Sequence, residues 1–300
     1  DDGARLPLFP AGSVRFARNQ LPDRLTEHLL SGLPNKPGRF RLPPRWPFAV
    51  DRFPIFYGWM IWLLSTLGFL MSVPGQTMGM AVFTDPFIEA FDLSRSQLSF
   101  AYLCGTVGSA FLLTRAGRLY DRVGARIMVV GASLLLGVMI AFISVIDQLG
   151  GALAGVFGIQ LATVTLPLLL LGYFGVRFSG QGVLTSASRN VLLLWFEKRR
   201  GLVSGIRGVF VSLGFSIAPL ILALMIDAAG WRGALMLMAG VLIFGFATLS
   251  LVFLRNTPDE EGLKADGAPP GGEGEQKPVY RAPDRSLTEA RRSSSFWRTS

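Results

Sequence analysis

The chain is short of charge, and shorter still of residues that carry chemistry. Its 300 residues include one Cys, Cys104, and one His, His28. A single Cys closes no intrachain disulfide, and no Cys/His cluster with metal-ligand spacing exists. There is no Ser/His/Asp set and no glycine-rich phosphate loop. The chain therefore does not read as an enzyme, and no cofactor or metal is expected. Only 16% of residues are charged, whereas half are hydrophobic and 35 are Gly. Soluble domains do not have that balance, but chains with several membrane spans do. Residues 1–50 are too polar to be a cleaved signal.

The net charge of +9 would suggest a nucleic-acid partner in a soluble protein, but here the distribution decides. Of the 29 Lys and Arg, Arg95 and Arg232 fall outside by this reading and Arg177 within a span. The rest fall in segments assigned to the cytoplasm or, like Arg189 and Arg207, to its helix ends. That asymmetry is the positive-inside signature, so the expected partner is a lipid bilayer and not nucleic acid.

The chain divides into three regions. Residues 1–53 carry nine basic residues and eight prolines and form a basic, Pro-rich cytoplasmic tail. Residues 54–254 hold six apolar runs, which predict an all-α, six-helix transmembrane bundle. Residues 255–300, with eight basic and eight acidic residues, read as a cytoplasmic linker between bundles. Within it, Ser286 and Glu289 have capping-box spacing ahead of Phe296-Trp297, a run-in to a seventh helix. The chain does not begin with Met, and it is expected to be a fragment.

The first span is expected over Phe56–Phe83, where Ser65, Gly68, Ser72, Gln76 and Gly79 recur at helical spacing. Thr84-Asp85-Pro86 should start a short external helix with Asp85 as its cap. Ser94 and Gln97 should open the second span as a capping box. The third span covers about 127–146. Residues 150–165 should be an external loop, and the fourth span should start near Pro167 and run to Phe196. The fifth covers 202–226, with a tight external turn at Gly230-Trp231-Arg232 before the sixth, 234–254.

Between the second and third spans lies Gly117-Arg118-Leu119-Tyr120-Asp121-Arg122-Val123-Gly124-Ala125-Arg126. A short basic segment there must reverse the chain on the cytoplasmic face, with Gly117 and Gly124 giving the freedom to turn. Gly117, Leu119, Asp121, Arg122, Gly124 and Arg126 fill every fixed position of the loop between helices two and three of the major facilitator superfamily. On those residues the chain resembles that superfamily over 54–300. Within it, Tyr57-Gly58-Trp59, Trp195 to Gly201, Gly230-Trp231-Arg232 and Pro258 to Leu263 resemble the oxalate/formate antiporter and monocarboxylate transporter branch. One departure is the fifth span, where the family's glycine pattern survives only as Gly214, Ala218 and Pro219.

The resemblance implies the first half of a twelve-helix fold whose second six-helix bundle is absent. It also implies that Asp121 interacts with a helix of that second half, and that the basic residues after it pair with an acid below helix four, here Glu197. The branch's substrate-coordinating cations lie in the absent half.

Among this chain's own residues Arg177 stands out, because a cation inside a span requires a partner or a water-filled cavity. Gln181, Thr185 and Ser188 come after it at helical spacing and would share its stripe. Gln76, Thr77 and Tyr102 are further candidates to line the cavity. Each has a structural alternative: an ion pair or snorkelling for Arg177, interhelical hydrogen bonds for Gln76 and Thr77, packing for Tyr102.

The expected function is secondary active transport of a small solute, an organic anion such as a monocarboxylate or dicarboxylate, by alternating access as antiporter or symporter. No carboxylate lies at the centre of a span, so proton coupling would need an acid from the second half. The alternatives are an exporter of drugs or metabolites, and a six-span scaffold or sensor that transports nothing. The expected location is a bacterial inner membrane with the N-terminus in the cytoplasm.

Overall fold

The computed structural model describes residues 46–48, 50 and 53–267. His28, most of the N-terminal tail and the Ser286/Glu289 pair lie outside the described residues. All elements among the described residues are helical.

The first apolar run breaks where Pro74-Gly75 interrupt it. Gly58–Met71 (α1) ends, Val73–Gly75 form one 3-10 turn, Gln76 is extended at ψ 156°, and Thr77–Ala81 (α2) resumes. The expectation of a continuous helix over 56–83 is therefore corrected. Pro74 has no N–H to donate, and the glycine beside it tolerates the tight turn.

Thr84–Phe91 (α3) comes next, with Asp85 inside its first turn. Asp85 does not cap α3 but pairs with Arg95 at 2.6 Å. Phe83, Phe87 and Phe91 are fully buried, and the rings of Phe87 and Phe91 meet Trp231 edge-on.

Arg95–Val123 (α4) opens with the expected capping box, Ser94 with Gln97. It then continues straight through the basic segment. Gly117 is helical, and the reversal comes only at Gly124, with φ 86° and ψ 169°. Ala116, Arg118, Leu119 and Arg122 are good helix formers, so nothing stops α4 before the glycine. A Cβ at Gly124 would also come within 2.7 Å of Asn256.

Ala125–Ser144 (α5) is the most buried of the long helices. Ile146–Phe157 (α6) occupies part of the stretch expected as a loop. Leu161–Val176 (α7) then carries Pro167 inside it instead of starting there. The chain widens into a π-helical stretch, Arg177–Leu184, and closes as Thr185–Trp195 (α8).

Arg200–Gly240 (α9) is interrupted at Gly230, with φ 70° and ψ 165°. A second π-helical stretch, Val241–Phe246, leads to Ala247–Phe253 (α10). Both ends of this segment pack on the start of α1: the Trp62 indole donates to the Val203 carbonyl and the Tyr57 hydroxyl to the Phe253 carbonyl. Trp231, between them, packs on α3. The segment therefore folds back at Gly230, as its Gly-Trp-Arg sequence predicts.

Four segments are long and apolar enough to cross a membrane: Arg95–Val123, Ala125–Ile143, Leu161–Trp195 and Arg200–Phe253. Aromatic clusters mark both ends of the bundle. Tyr57, Trp195, Phe196 and Phe253 gather at one end, with Phe83, Phe87, Phe91 and Trp231 at the other.

At the first end, the Gly124 turn is joined to the residues that follow α10. The Arg126 side chain donates to the carbonyls of Leu251 and Trp46, and its backbone N–H donates to Asn256 Oδ1. Arg255 pairs with the buried Glu261 at 3.3 Å. Cations on the last carbonyls of α10 satisfy acceptors that a helix end leaves open.

Candidate functional site

The π-helical stretch packs against the break between α1 and α2, and the two irregularities touch through bare backbone. A Cβ at Gly75 would lie 2.6 Å from Gly180 Cα and 2.8 Å from the Gln181 nitrogen. Only glycine allows that approach. The break leaves the Gly75 carbonyl outside the helical ladder, and Arg177 Nη1 donates to it at 3.1 Å.

The rest of the Arg177 guanidinium faces an aromatic wall. Its central carbon stands 5.1 Å from the centre of the Tyr102 ring, a cation–π contact. The Tyr102 hydroxyl donates to Thr77 Oγ1 at 2.8 Å, and its ring meets Tyr173 edge-on at 5.3 Å. Beside these groups lies a cavity of about 180 Å³ lined by Thr77, Met80, Leu98, Ser99, Tyr102 and Tyr173. Arg177 is buried, only 7% exposed, and its Nε has no hydrogen-bond partner. A desolvated guanidinium with one carbonyl, one ring face and an idle donor can donate to a further anionic or polar oxygen.

Arg177, Thr77 and Tyr102 thus come together. Gln76 sits next to the break with its amide donating to Ser72 Oγ at 3.1 Å. Along the expected stripe on the fourth span, Arg177 is buried, Gln181 exposed, Thr185 half-buried and Ser188 buried, and the π stretch lies between the first and the last two. The Thr185 hydroxyl donates back to the Gln181 carbonyl.

Of the basic-segment residues, Gly117, Leu119, Asp121 and Arg122 lie exposed on the last turns of α4. Gly124 makes the turn, and Arg126 is buried. Glu197 is exposed, and no ion pair joins it to Arg122 or Arg126 among the described residues; its backbone N–H and that of Lys198 donate to Asp266 Oδ2 at 3.0 and 2.6 Å.

Sequence reasoning missed Gly75 and its backbone contact with Gly180. The available signal was Pro74-Gly75 within an apolar run and the spaced glycines after Arg177.

A family model described as Major Facilitator Superfamily matches residues 64–299. The chain belongs to the major facilitator superfamily. With its long apolar helices it is an integral, multi-pass membrane protein.

Two curated relatives of this major facilitator give a narrower comparison. It is 26% identical over 173 residues to the probable sulfoacetate transporter SauU of Cupriavidus necator, a match covering 57% of this chain and 36% of that protein. It is 31% identical over 98 residues to monocarboxylate transporter 6 of Mus musculus, covering 32% of this chain and 21% of that protein. The chain therefore matches about a third or less of the length of these relatives.

Proposed function

We propose that residues 54–254 are the six-helix first half of a twelve-helix transporter that moves a small organic anion, a monocarboxylate or dicarboxylate, by alternating access. In this reading α1 with α2 makes the first crossing, and α4, α5 and α7–α8 make the next three. The segment from Arg200 to Phe253 crosses twice, out and back around Gly230. The Gly124 turn and the N-terminus face the cytoplasm, which suits a bacterial inner membrane, and residues 255–300 lead to a second bundle. Substrate sits between the two bundles near mid-membrane, and rocking of one against the other exposes it to each side in turn.

The observation that carries the anion reading is Arg177, a buried cation beside the α1–α2 break, with an idle Nε and its ring partner Tyr102 lining a small cavity. Intramembrane cations of this kind line substrate or ion pathways. The relatives' names, which cite sulfoacetate and monocarboxylates, support the same class of cargo.

Uptake of labelled oxalate, formate or lactate by cells carrying the complete gene tests the reading. Saturable uptake above that of control cells is expected. Drug resistance without any uptake would instead mark an exporter.

A further inference from the structure

Two more arginines lie on the inner part of the bundle, and the function just proposed leaves them unused. Arg189 is near the end of α8 and Arg207 near the start of α9, each about 10 Å in from its helix end at ~1.5 Å per residue. Arg207 Nη1 reaches Ser65 Oγ at 3.4 Å, and its guanidinium stands 4.7 Å over the Phe69 ring. Arg189 directly follows Ser188, whose carbonyl accepts from the same Ser65 hydroxyl that Arg207 reaches, so the two arginines flank one serine. Among the described residues neither arginine takes part in an ion pair.

The wall behind them is polar. Ser65 Oγ donates to the Ser188 carbonyl at 2.6 Å, so its lone pairs remain for Arg207. The Ser188 hydroxyl is buried against Gly68 with no hydrogen-bond partner. Two like charges flanking one serine at the edge of an apolar bundle repel unless an anion lies between them.

We propose that Arg189 and Arg207 form a second anion-binding station at the cytoplasmic mouth of the pathway, selective for dianions over monoanions. The proposal rests on the anion-transport reading above. Two guanidinium forks can each hold one carboxylate of a dicarboxylate, whereas a monoanion engages only one of them. At about 1.5 Å per residue, Arg189 lies roughly 18 Å along the helix from Arg177, too far for one small anion to touch both. The station therefore acts before or after Arg177, collecting anions from the cytoplasmic side and favouring those with two charges.

The test uses the complete protein in vesicles, with KM for oxalate and for formate measured from each side. Arg189→Gln/Arg207→Gln should raise the cytoplasmic-side KM for oxalate about tenfold or more. The formate KM and both external-side values should change less than about twofold. Arg189→Lys/Arg207→Lys, which keeps the charges, should retain part of the oxalate preference and guards against misfolding as the cause.

The comparison is repeated in neutral phosphatidylcholine and in vesicles containing phosphatidylglycerol. An effect seen only with the anionic lipid assigns the pair to headgroup phosphate and overturns the station. An unchanged cytoplasmic KM in an active double variant overturns the station alone. Wild-type vesicles that carry neither anion overturn the transport reading itself.

Discussion

Arg177 is the residue on which transport is proposed to turn. Its guanidinium is held by a carbonyl that exists as a free acceptor only because α1 stops at Pro74-Gly75. Arg177→Gln keeps a donor but removes the charge, and kcat/KM for anion uptake should fall at least ~30-fold, the effect of losing about 2 kcal/mol of desolvated charge contact. Arg177→Lys should recover little, since an ammonium cannot reach Gly75 and stack on Tyr102 together.

The charge of Arg177 was legible in sequence because a lone cation interrupts a long apolar run. Its partners were not. The Gly75 carbonyl is freed by a break whose depth matches the π stretch only after the two spans pack. Gly75→Ala should separate that contact, because the added methyl meets Gly180 Cα at 2.6 Å. Overpacking of this kind costs about 1–3 kcal/mol, read as a lower Tm of the purified protein.

Helix boundaries decide what happens at the scale of the element. Ser94 and Gln97 were legible as a capping box because the signal is local, three residues apart and side chain to backbone. Ser94→Ala should cost about 1 kcal/mol in thermal unfolding.

The basic segment was legible as a reversal, but its extent was not. Gly117 and Gly124 look alike in sequence, yet α4 runs through the first, and only the second adopts a positive φ. Gly117→Ala should therefore be neutral or slightly stabilising, whereas Gly124→Ala should cost about 1–3 kcal/mol in the same measurement. Equal effects at the two positions would mean that the turn forms elsewhere. Pro167 misled for a related reason: prolines are tolerated inside membrane helices, where neighbouring groups satisfy the freed carbonyl.

Burial is uneven across the whole molecule. Half of the residues in the most apolar stretch of α5 are buried, but only 17% of those in α4 and 11% of those in the segment from Arg200 to Phe253. Helices covered so unequally leave broad apolar flanks to lipid or to further protein, and the proposed second bundle would take part of them. The membrane class was legible from composition, and the helical architecture from the apolar runs. The fold-back at Gly230 was legible from Gly-Trp-Arg between two apolar runs. The bend and widening that bring Arg177, Thr77 and Tyr102 together were not, because they depend on contacts between spans rather than on either span.

If Arg177 borders a water-filled anion pathway, cysteine accessibility tests that most directly. Cys104, the chain's only cysteine, is first replaced by Ser in the complete protein, and a single cysteine is placed at Gln76 or at Gln181. Both should react with a membrane-impermeant thiol reagent, and oxalate should slow the reaction severalfold. Cysteines at both positions that resist the reagent in folded protein, with or without oxalate, would contradict the pathway and leave a packed bundle in its place.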